Sequence, residues 1–463
     1  MTTNVNIREL VLDILIEVNE KDEYSHLMIR GVLDKHQYLE KKERAFLTRL
    51  AEGTIEHQIE MDYIIDSFSK VKVRKMKPFI RNLLRMSVYQ LRYMDAIPDS
   101  AVCNEAVKLA KKRGFRQLSG FVNGVLRSVV REGDRLLYPD AKLEPERYLE
   151  VCYSVPGWIV SGWLEAYGFS RTEEILKNFY REEPLTIRTN RMKGSPEQLC
   201  TRLKTEGVIV DNVGEKITDG GLSCKTDDPA YEKLFGEAWK RISGYAFSIS
   251  GFDHLQGLSS FRDGDFYVQD VSSMLAAELA EPKKGDYIID VCAAPGGKSS
   301  HMAELMDGTG MVEARDLTEY KTGLIEENRK RHELSNMKAV QMDATVQDPA
   351  SVGKADILMC DLPCSGLGVM GKKTDIRYKM TPEKQKELVL LQRRILKNVI
   401  PYVKKGGTVI YSTCTIQKEE NENNAIWITK EFPDMKLLAM KQMFPGELGN
   451  DGFFIAKLRR DNE

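Results

Sequence analysis

No run of about 18 consecutive apolar residues occurs in the 463-residue chain, so no segment is long enough to cross a bilayer as a helix. The opening stretch MTTNVNIRELVLDIL lacks the basic segment and short apolar core of a secretory signal. These two absences predict a cytoplasmic protein. Histidine is scarce, with six residues and no HExxH or HxH grouping, and none of the eight cysteines forms a CxxC pair. A zinc site is therefore not implied, and no metal is expected. Eight cysteines in a long cytoplasmic chain also argue against a disulfide framework. Internal repeats and low-complexity segments are missing too.

What is present fits a globular protein of two or three domains: 42% hydrophobic and 30% charged residues over a length that can bury more than one core. The net charge of −1 hides an asymmetry. Residues 1–69 carry 8 Lys/Arg against 14 Asp/Glu, whereas residues 70–131 carry 15 Lys/Arg against 3 Asp/Glu. A basic block inside a folded segment suits phosphate binding, because displaced counterions supply most of such affinity. The plainer alternative is a solvated helical face. The size of the imbalance favours nucleic acid.

Residues 1–136 read as an all-α domain. Ile7, Leu10, Val11, Ile14, Leu15 and Val18 recur at helical spacing, and FIRNLLRMSVYQLRYM and SAVCNEAVKLAKKRG continue the pattern. Pro98 and Asp99 separate those two helices, Gly114 stops the second, and FVNGVLRSVVRE closes the bundle. A helical linker region follows over 137–182, where Trp158 and Trp163 read as packing residues. Residues 183–262 form a small α+β, RRM-like subdomain. In it LTIRTN alternates as a strand, SPEQLCTRLKTEG is a capped helix, and VIVDNV is a strand. An RNA-recognition platform is conceivable there, although no strand is rich in aromatics.

From 263 to 463 strands and helices alternate, the pattern of an α/β Rossmann-like domain with a parallel sheet. YIIDVCAAPGGKSSHMAELM is strand, glycine turn and helix; GMVEARD, MKAVQMDA, ADILMCDLPC and TVIYSTC are the next four strands. The long helix from Pro382 presents Leu388, Leu391, Ile395 and Val399 to the core, and GFFIAKL forms a late antiparallel strand.

The first of these strands ends at Asp290 and turns through CAAPGG into a helix, where small residues admit a ligand to unpaired N–H groups. Asp316 ends the second strand, at the distance from the glycines where doubly wound folds grip a ribose. Asp343 ends the third and is placed to meet an adenine edge. The three acids and the turn describe an adenosine-containing cofactor. The turn is neither GxGxxG nor GxxxxGK[ST], which disfavours NAD and ATP, although Lys298 beside the glycines resembles a phosphate grip.

Two cysteines stand at strand ends in the same domain. Cys364 follows Asp361 and Pro363, and Cys414 closes YSTC. Neighbouring strands lie about 4.8 Å apart, so both thiols can border the cofactor cleft. A thiolate suits addition to C6 of a pyrimidine, which makes C5 nucleophilic enough to take a methyl group. Spacing does not rank the two. Cys103, Cys152, Cys200 and Cys224 are assigned to packing or chance, and Cys292 and Cys360 to structure.

DVCAAPGGKSSH, DLPCSGLG and YSTCT followed by EEN resemble the RNA cytosine-C5 methyltransferases that use S-adenosylmethionine. SAVCNEAVKLAKK and FVNGVLRSVVRE resemble the RNA-binding antiterminator NusB, and FYVQDVSSMLAAELA resembles the segment that leads into those catalytic domains. The combination is similar, over essentially the whole chain, to the RsmB/Sun (Fmu) family of 16S ribosomal RNA methyltransferases. The resemblance implies a NusB-like domain, a Rossmann-like S-adenosylmethionine-dependent methyltransferase domain, and methylation of C5 of a cytosine in 16S rRNA by a monomer. It assigns Cys414 as nucleophile and Cys364 as the residue that assists adduct breakdown. It gives the methionine part of the cofactor to Cys292, Ala293, Ala294, Pro295, Gly296, Gly297 and Lys298, the ribose to Asp316, and the adenine to Asp343. Asp361, counted with the cofactor-binding residues, would face the reaction centre and contact cofactor or target base, and Lys298 would help orient the base. Leu362 in place of alanine, Arg315 before the ribose acid, and an altered GKKTDIRY depart from the family pattern without removing a catalytic group. The alternatives are the same chemistry on transfer RNA, or an RNA-binding protein that has lost activity.

Overall fold

The computed structural model describes residues 5–181, 183–216 and 229–462; Cys224 lies outside them. The chain forms two compact units: residues 1–177 with 370–381, and residues 178–369 with 382–463.

The first unit is helical. It runs α1 (Ile7–Lys21), α2 (Ser25–Lys35), α3 (Lys41–Glu56), α4 (Gln58–Phe68), α5 (Pro78–Tyr93), α6 (Asp99–Lys112) and α7 (Ser119–Glu132), then α8 (Pro145–Cys152) and α9 (Gly157–Asn178). Asn6 caps α1 by accepting from the Glu9 amide, and Val11, Leu12, Ile14, Leu15 and Val18 form its buried stripe. Helix α5 begins with proline at a position that needs no N–H, and is the central helix, buried from Phe79 to Gln90 except at Arg81. Gly168 interrupts α9 with φ 74°, a conformation open to glycine. Trp163 is fully buried and Trp158 half-buried, which is a packing role for both.

The basic block is partly spent inside this unit. Arg81 pairs with Glu20, Arg85 with Asp62, Lys112 with Glu9, and Arg113 with Glu9 and Asp13. The acid-rich first helices thus neutralise many of the cations that follow them. Lys70, Arg74, Lys75 and Lys77, exposed between α4 and α5, make no ion pair among the described residues.

The second unit holds two sheets. Strands β1 (Leu185–Thr189), β2 (Ile209–Asn212), β3 (Ala246–Ser250) and β4 (Phe266–Val268) form an antiparallel sheet in the order β2-β3-β1-β4. Its last strand lies beyond residue 262. The strand aromatics Phe247, Phe266 and Tyr267 are buried, so these strands offer no aromatic stacking surface among the described residues. Arg188 on β1 is fully buried, paired with Glu304 at 2.5 Å and stacked on Tyr267 at 4.0 Å.

The larger sheet has seven strands: β5 (Tyr287–Asp290), β6 (Met311–Asp316), β7 (Met337–Gln341), β8 (Ala355–Asp361), β9 (Val403–Thr413), β10 (Met435–Met443) and β11 (Phe453–Arg460). Their order is β10-β11-β9-β8-β5-β6-β7, with β5 to β9 parallel and β10 and β11 antiparallel. Strand β10 has no counterpart in the sequence reading. Its polar and charged positions are interleaved with methionine and leucine, which weakens the alternation that betrays a strand. The third strand stops at Gln341, two residues before Asp343, and the fifth stops at Thr413, one before Cys414.

Candidate active site

The chain runs outward from β5 to β6 and β7, then returns to the other side of β5 as β8. This reversal opens a crevice at the carboxyl ends of β5 and β8, where open α/β sheets bind ligands. Asp290 ends β5 and Asp361 ends β8, so two acids flank the crevice. Between them the turn passes a cis Ala294–Pro295 bond and Gly296, whose φ of 104° only glycine adopts readily, and the helix Gly297–Leu305 starts. As at any helix start, its first N–H groups have no partner within the helix, and Gly297 and Lys298 of this turn line the pocket.

Lys298 extends from that turn to Asp361, with Nζ 2.7 Å from Oδ2. The other Asp361 oxygen accepts from Ser412 Oγ at 2.7 Å. Burial alone would lower the Lys298 ammonium, but the Asp361 carboxylate outweighs it and holds the group above its ordinary value. Asp290 is 1% exposed and accepts from Ser299 Oγ at 2.5 Å. Burial pushes its carboxyl up to about 7, against the opposing Ser299 hydrogen bond.

Asp316 is buried at the end of β6. It accepts from the Ala294 amide at 3.0 Å and the Leu317 amide at 2.8 Å, and Lys321 Nζ lies 3.1 Å away. Asp316 is thereby tied to the glycine turn. Asp343 is exposed and accepts from the amide and hydroxyl of Thr345, which hold its carboxyl below the usual range. Arg315 is accommodated by burial beside Glu313, with Nε 2.7 Å from Oε1, and by donation to Ser351 Oγ at 2.6 Å. Leu362 packs into the core formed by β8, β9 and the Pro382–Val399 helix.

The two cysteines meet. Cys364 Sγ lies 3.2 Å from Cys414 Sγ. The hydrogen bond to Cys414 and burial push the Cys364 thiol well up, and the nearby Glu420 carboxyl adds to this. Cys414 instead lies within the field of the Lys298 ammonium. Cys364 is therefore the thiol that the fold keeps protonated. The loop that carries Cys364 is held close: the Ser365 amide donates to Glu420 at 2.9 Å, and the Gly368 amide to the Cys414 carbonyl at 3.1 Å. Cys292 and Cys360 have thiols raised by burial next to acids, which makes them poor nucleophiles.

A pocket of about 200 Å³ is walled by Cys292, Ala293, Ala294, Pro295, Gly297, Lys298 and Asp361. Gly296, Asp316, Asp343, Cys364 and Cys414 are not among its walls. Val268, Gln269, Asp270, Ser273 and Asp290 complete it. Asp290 is one of the three strand-end acids read from the sequence, which assigned it no part of the cofactor and gave no role to Gln269, Asp270 or Ser273. The signal was FYVQDVSS, whose polar QD pair interrupts a buried strand-to-helix junction. Among the described residues no cluster of three or more His, Cys, Asp or Glu side chains is placed to hold a metal ion. No helix among them is long and apolar enough to cross a membrane.

Comparison with known proteins adds sequence and fold relatives. Residues 277–459 match the family described as 16S rRNA methyltransferase RsmB/F, residues 5–131 match the NusB family, and residues 155–219 match the RsmF/B-like ferredoxin-like domain. The chain is 36% identical to a probable ribosomal RNA small subunit methyltransferase B of Bacillus subtilis, covering 98% of this chain and 99% of the relative. It is 30% identical to a protein of the same description from Synechocystis, over 98% of this chain and 100% of the relative. Among solved structures, PH0851 shares the fold over 99% of this chain and 100% of its own, with a TM-score of 0.77 at 24% identity. NSun6 from Pyrococcus horikoshii with SFG is 26% identical, with a TM-score of 0.51, over 65% of this chain and 97% of its own. These relatives accord with a helical N-terminal domain, a ferredoxin-like subdomain and a Rossmann-like catalytic sheet.

Proposed function

The chain belongs to the 16S rRNA methyltransferase RsmB/F family, and on that premise we propose that it methylates C5 of a cytosine in 16S ribosomal RNA through a covalent bond from Cys414 to C6. It is an S-adenosylmethionine-dependent rRNA methyltransferase. The observation that carries the cysteine chemistry is the 3.2 Å approach of Cys364 to Cys414, next to the Lys298–Asp361 pair.

The crevice suits S-adenosylmethionine. Asp290 and Asp361 face a cationic ligand, and the Gly297 helix start and Lys298 face a carboxylate. Gly297 lines the pocket without a side chain to obstruct it. Asp316 would hold the ribose hydroxyls and Asp343 the adenine. The cofactor, when bound, supplies an electrophilic methyl group.

The target cytosine must leave its stack, because attack on C6 comes perpendicular to the ring. Asp361, held by Lys298 and Ser412, would contact cofactor or base. Cys414 adds to C6, and C5 then accepts the methyl group. A base removes the C5 proton, and Cys364 assists departure of Cys414 from the product. The four exposed cations between α4 and α5 would meet RNA phosphates. We place this activity in the cytoplasm and in a monomer.

The test is covalent trapping. Cys364→Ala is expected to accumulate an RNA adduct that survives denaturing electrophoresis, and Cys414→Ala to form none. An adduct on Cys414→Ala overturns the assignment.

A further inference from the structure

Strand β4 of the small antiparallel sheet ends at Val268, and Val268, Gln269 and Asp270 form one wall of the pocket. This wall, the small sheet and the Gly297 helix all belong to the second compact unit. The Gln269 backbone amide donates to the Thr186 carbonyl at 3.2 Å, which extends the pairing of β1 with β4 by one residue.

The Gln269 side chain is held in one orientation. It is 6% exposed, and its Oε1 accepts from Arg188 Nε at 2.8 Å. A guanidinium can only donate, so the amide atom that meets it is the oxygen and the opposite atom is the nitrogen. That nitrogen, Nε2, is buried and makes no hydrogen bond among the described residues. It lies 3.9 Å from the point that a Cβ on Gly297 would occupy, beside the first residue of the helix. Buried donors nearly always have an acceptor, because one left without a partner costs stability. Gln269 thus brings a donor to a helix start that already favours an anion.

Arg188 is itself fixed. It is fully buried, with Nη1 2.5 Å from Glu304 and the guanidinium 4.0 Å from the Tyr267 ring centre. Glu304 stands on the same Gly297–Leu305 helix that begins at the pocket. A buried ion pair is costly to desolvate, and apolar side chains of similar volume fill such space as well. What the guanidinium adds is a donor that decides which end of the Gln269 amide turns toward Gly297.

We infer that Gln269 is a further cofactor-binding residue, donating from Nε2 to the carboxylate of S-adenosylmethionine, and that Arg188 is the positioning residue that orients its amide. The inference rests on the cofactor reading above and names one group that recognises the methionine end. Arg188 touches no ligand; it acts through Gln269. The small sheet thereby helps to build the cofactor pocket.

The experiment measures binding of S-adenosylmethionine and of its decarboxylated analogue to the full chain by calorimetry, at a temperature where melts show each variant folded. Gln269→Ala is expected to bind S-adenosylmethionine about 10- to 100-fold more weakly, the size of a lost hydrogen bond to a charged acceptor, and the analogue within about twofold of native. Gln269→Glu keeps the acceptor for Arg188 but replaces the donor, and is expected to lose at least as much for S-adenosylmethionine alone. Arg188→Met is expected to show the same selective loss, Arg188→Lys to restore part of it, and Arg188→Met with Gln269→Ala to lose no more than Gln269→Ala. Gln269→Glu carries the test should Arg188→Met fail to fold. Native affinity for S-adenosylmethionine in both Gln269 variants, or equal weakening of the two ligands, overturns the role of Gln269. Equal weakening of both ligands in Arg188→Met overturns the positioning role. A native protein that binds neither ligand overturns the cofactor reading itself, and this inference with it.

Discussion

Gly368→Ala tests how closely the two cysteine loops depend on each other. A Cβ at this position would stand 2.8 Å from the Cys414 carbonyl oxygen and closer still to the carbonyl of Gly452. Both obstacles are backbone, so no side chain can swing away. Two hydrogen bonds share the contact: Gly368 donates to Cys414 at 3.1 Å, and Gly452 donates to Gly368 at 2.8 Å. Overpacking costs about 1–3 kcal/mol, and loss of one of these hydrogen bonds adds about 1 kcal/mol. The sum, about 2–4 kcal/mol, lowers the unfolding midpoint by about 5–15 °C for a unit of this size. The catalytic effect is of similar size, because moving Cys414 by about 1 Å costs roughly 100-fold in rate, or about 2.7 kcal/mol. The assays are a thermal melt and a single-turnover methyl transfer at a temperature where the variant is folded. Gly236→Ala is the control, since its Cβ meets nothing within 4 Å inside a helix. Alanine there is expected to be neutral or to stabilise by up to about 1 kcal/mol. A Gly368→Ala protein that melts and turns over like the native one refutes the steric reasoning.

Asp290 predicts a pH dependence of stability. Its carboxyl is raised from 3.8 to about 7, so the folded protein keeps a proton that the unfolded chain loses above about pH 4. This group's contribution is therefore complete at low pH and declines as pH rises from about 4 to 7, by at most ~4 kcal/mol. Asp290→Asn, which still offers Ser299 an acceptor, removes the decline; denaturation midpoints of the two proteins that run parallel across this range contradict it. Arg188→Met leaves Glu304 buried without its partner and is expected to cost about 3–5 kcal/mol. Adding Glu304→Gln should return at least half of that by denaturant titration, and a double variant no more stable than the single one argues against the ion pair as the cause.

Local chemistry made much of this protein legible. The strands ending in Asp290, Asp316 and Asp361, the glycine turn at Gly296 and the helical stripe of α1 each depend on residues within a few positions of one another. Strand β10 was not legible, because its burial is imposed by its neighbour β11 and not by its own pattern. The walls Gln269, Asp270 and Ser273 were also hidden, since they reach the pocket from a segment that precedes the glycine turn.

Charge shows the same division. Counting residues located a basic block, and the fold then paired Arg81, Arg85, Lys112 and Arg113 with acids from the first helices, leaving Lys70, Arg74, Lys75 and Lys77 exposed. The sequence by itself determined which domains form and which residue types stand at the strand ends, because backbone propensity and hydrophobic period are local. Only the tertiary structure decided that two thiols lie 3.2 Å apart, with Lys298 interacting with Cys414 and Glu420 with Cys364, and that Asp375 is held by Ser25. Those are through-space interactions between residues distant along the chain. Their strength depends on separation and burial, and neither is set until the chain has packed.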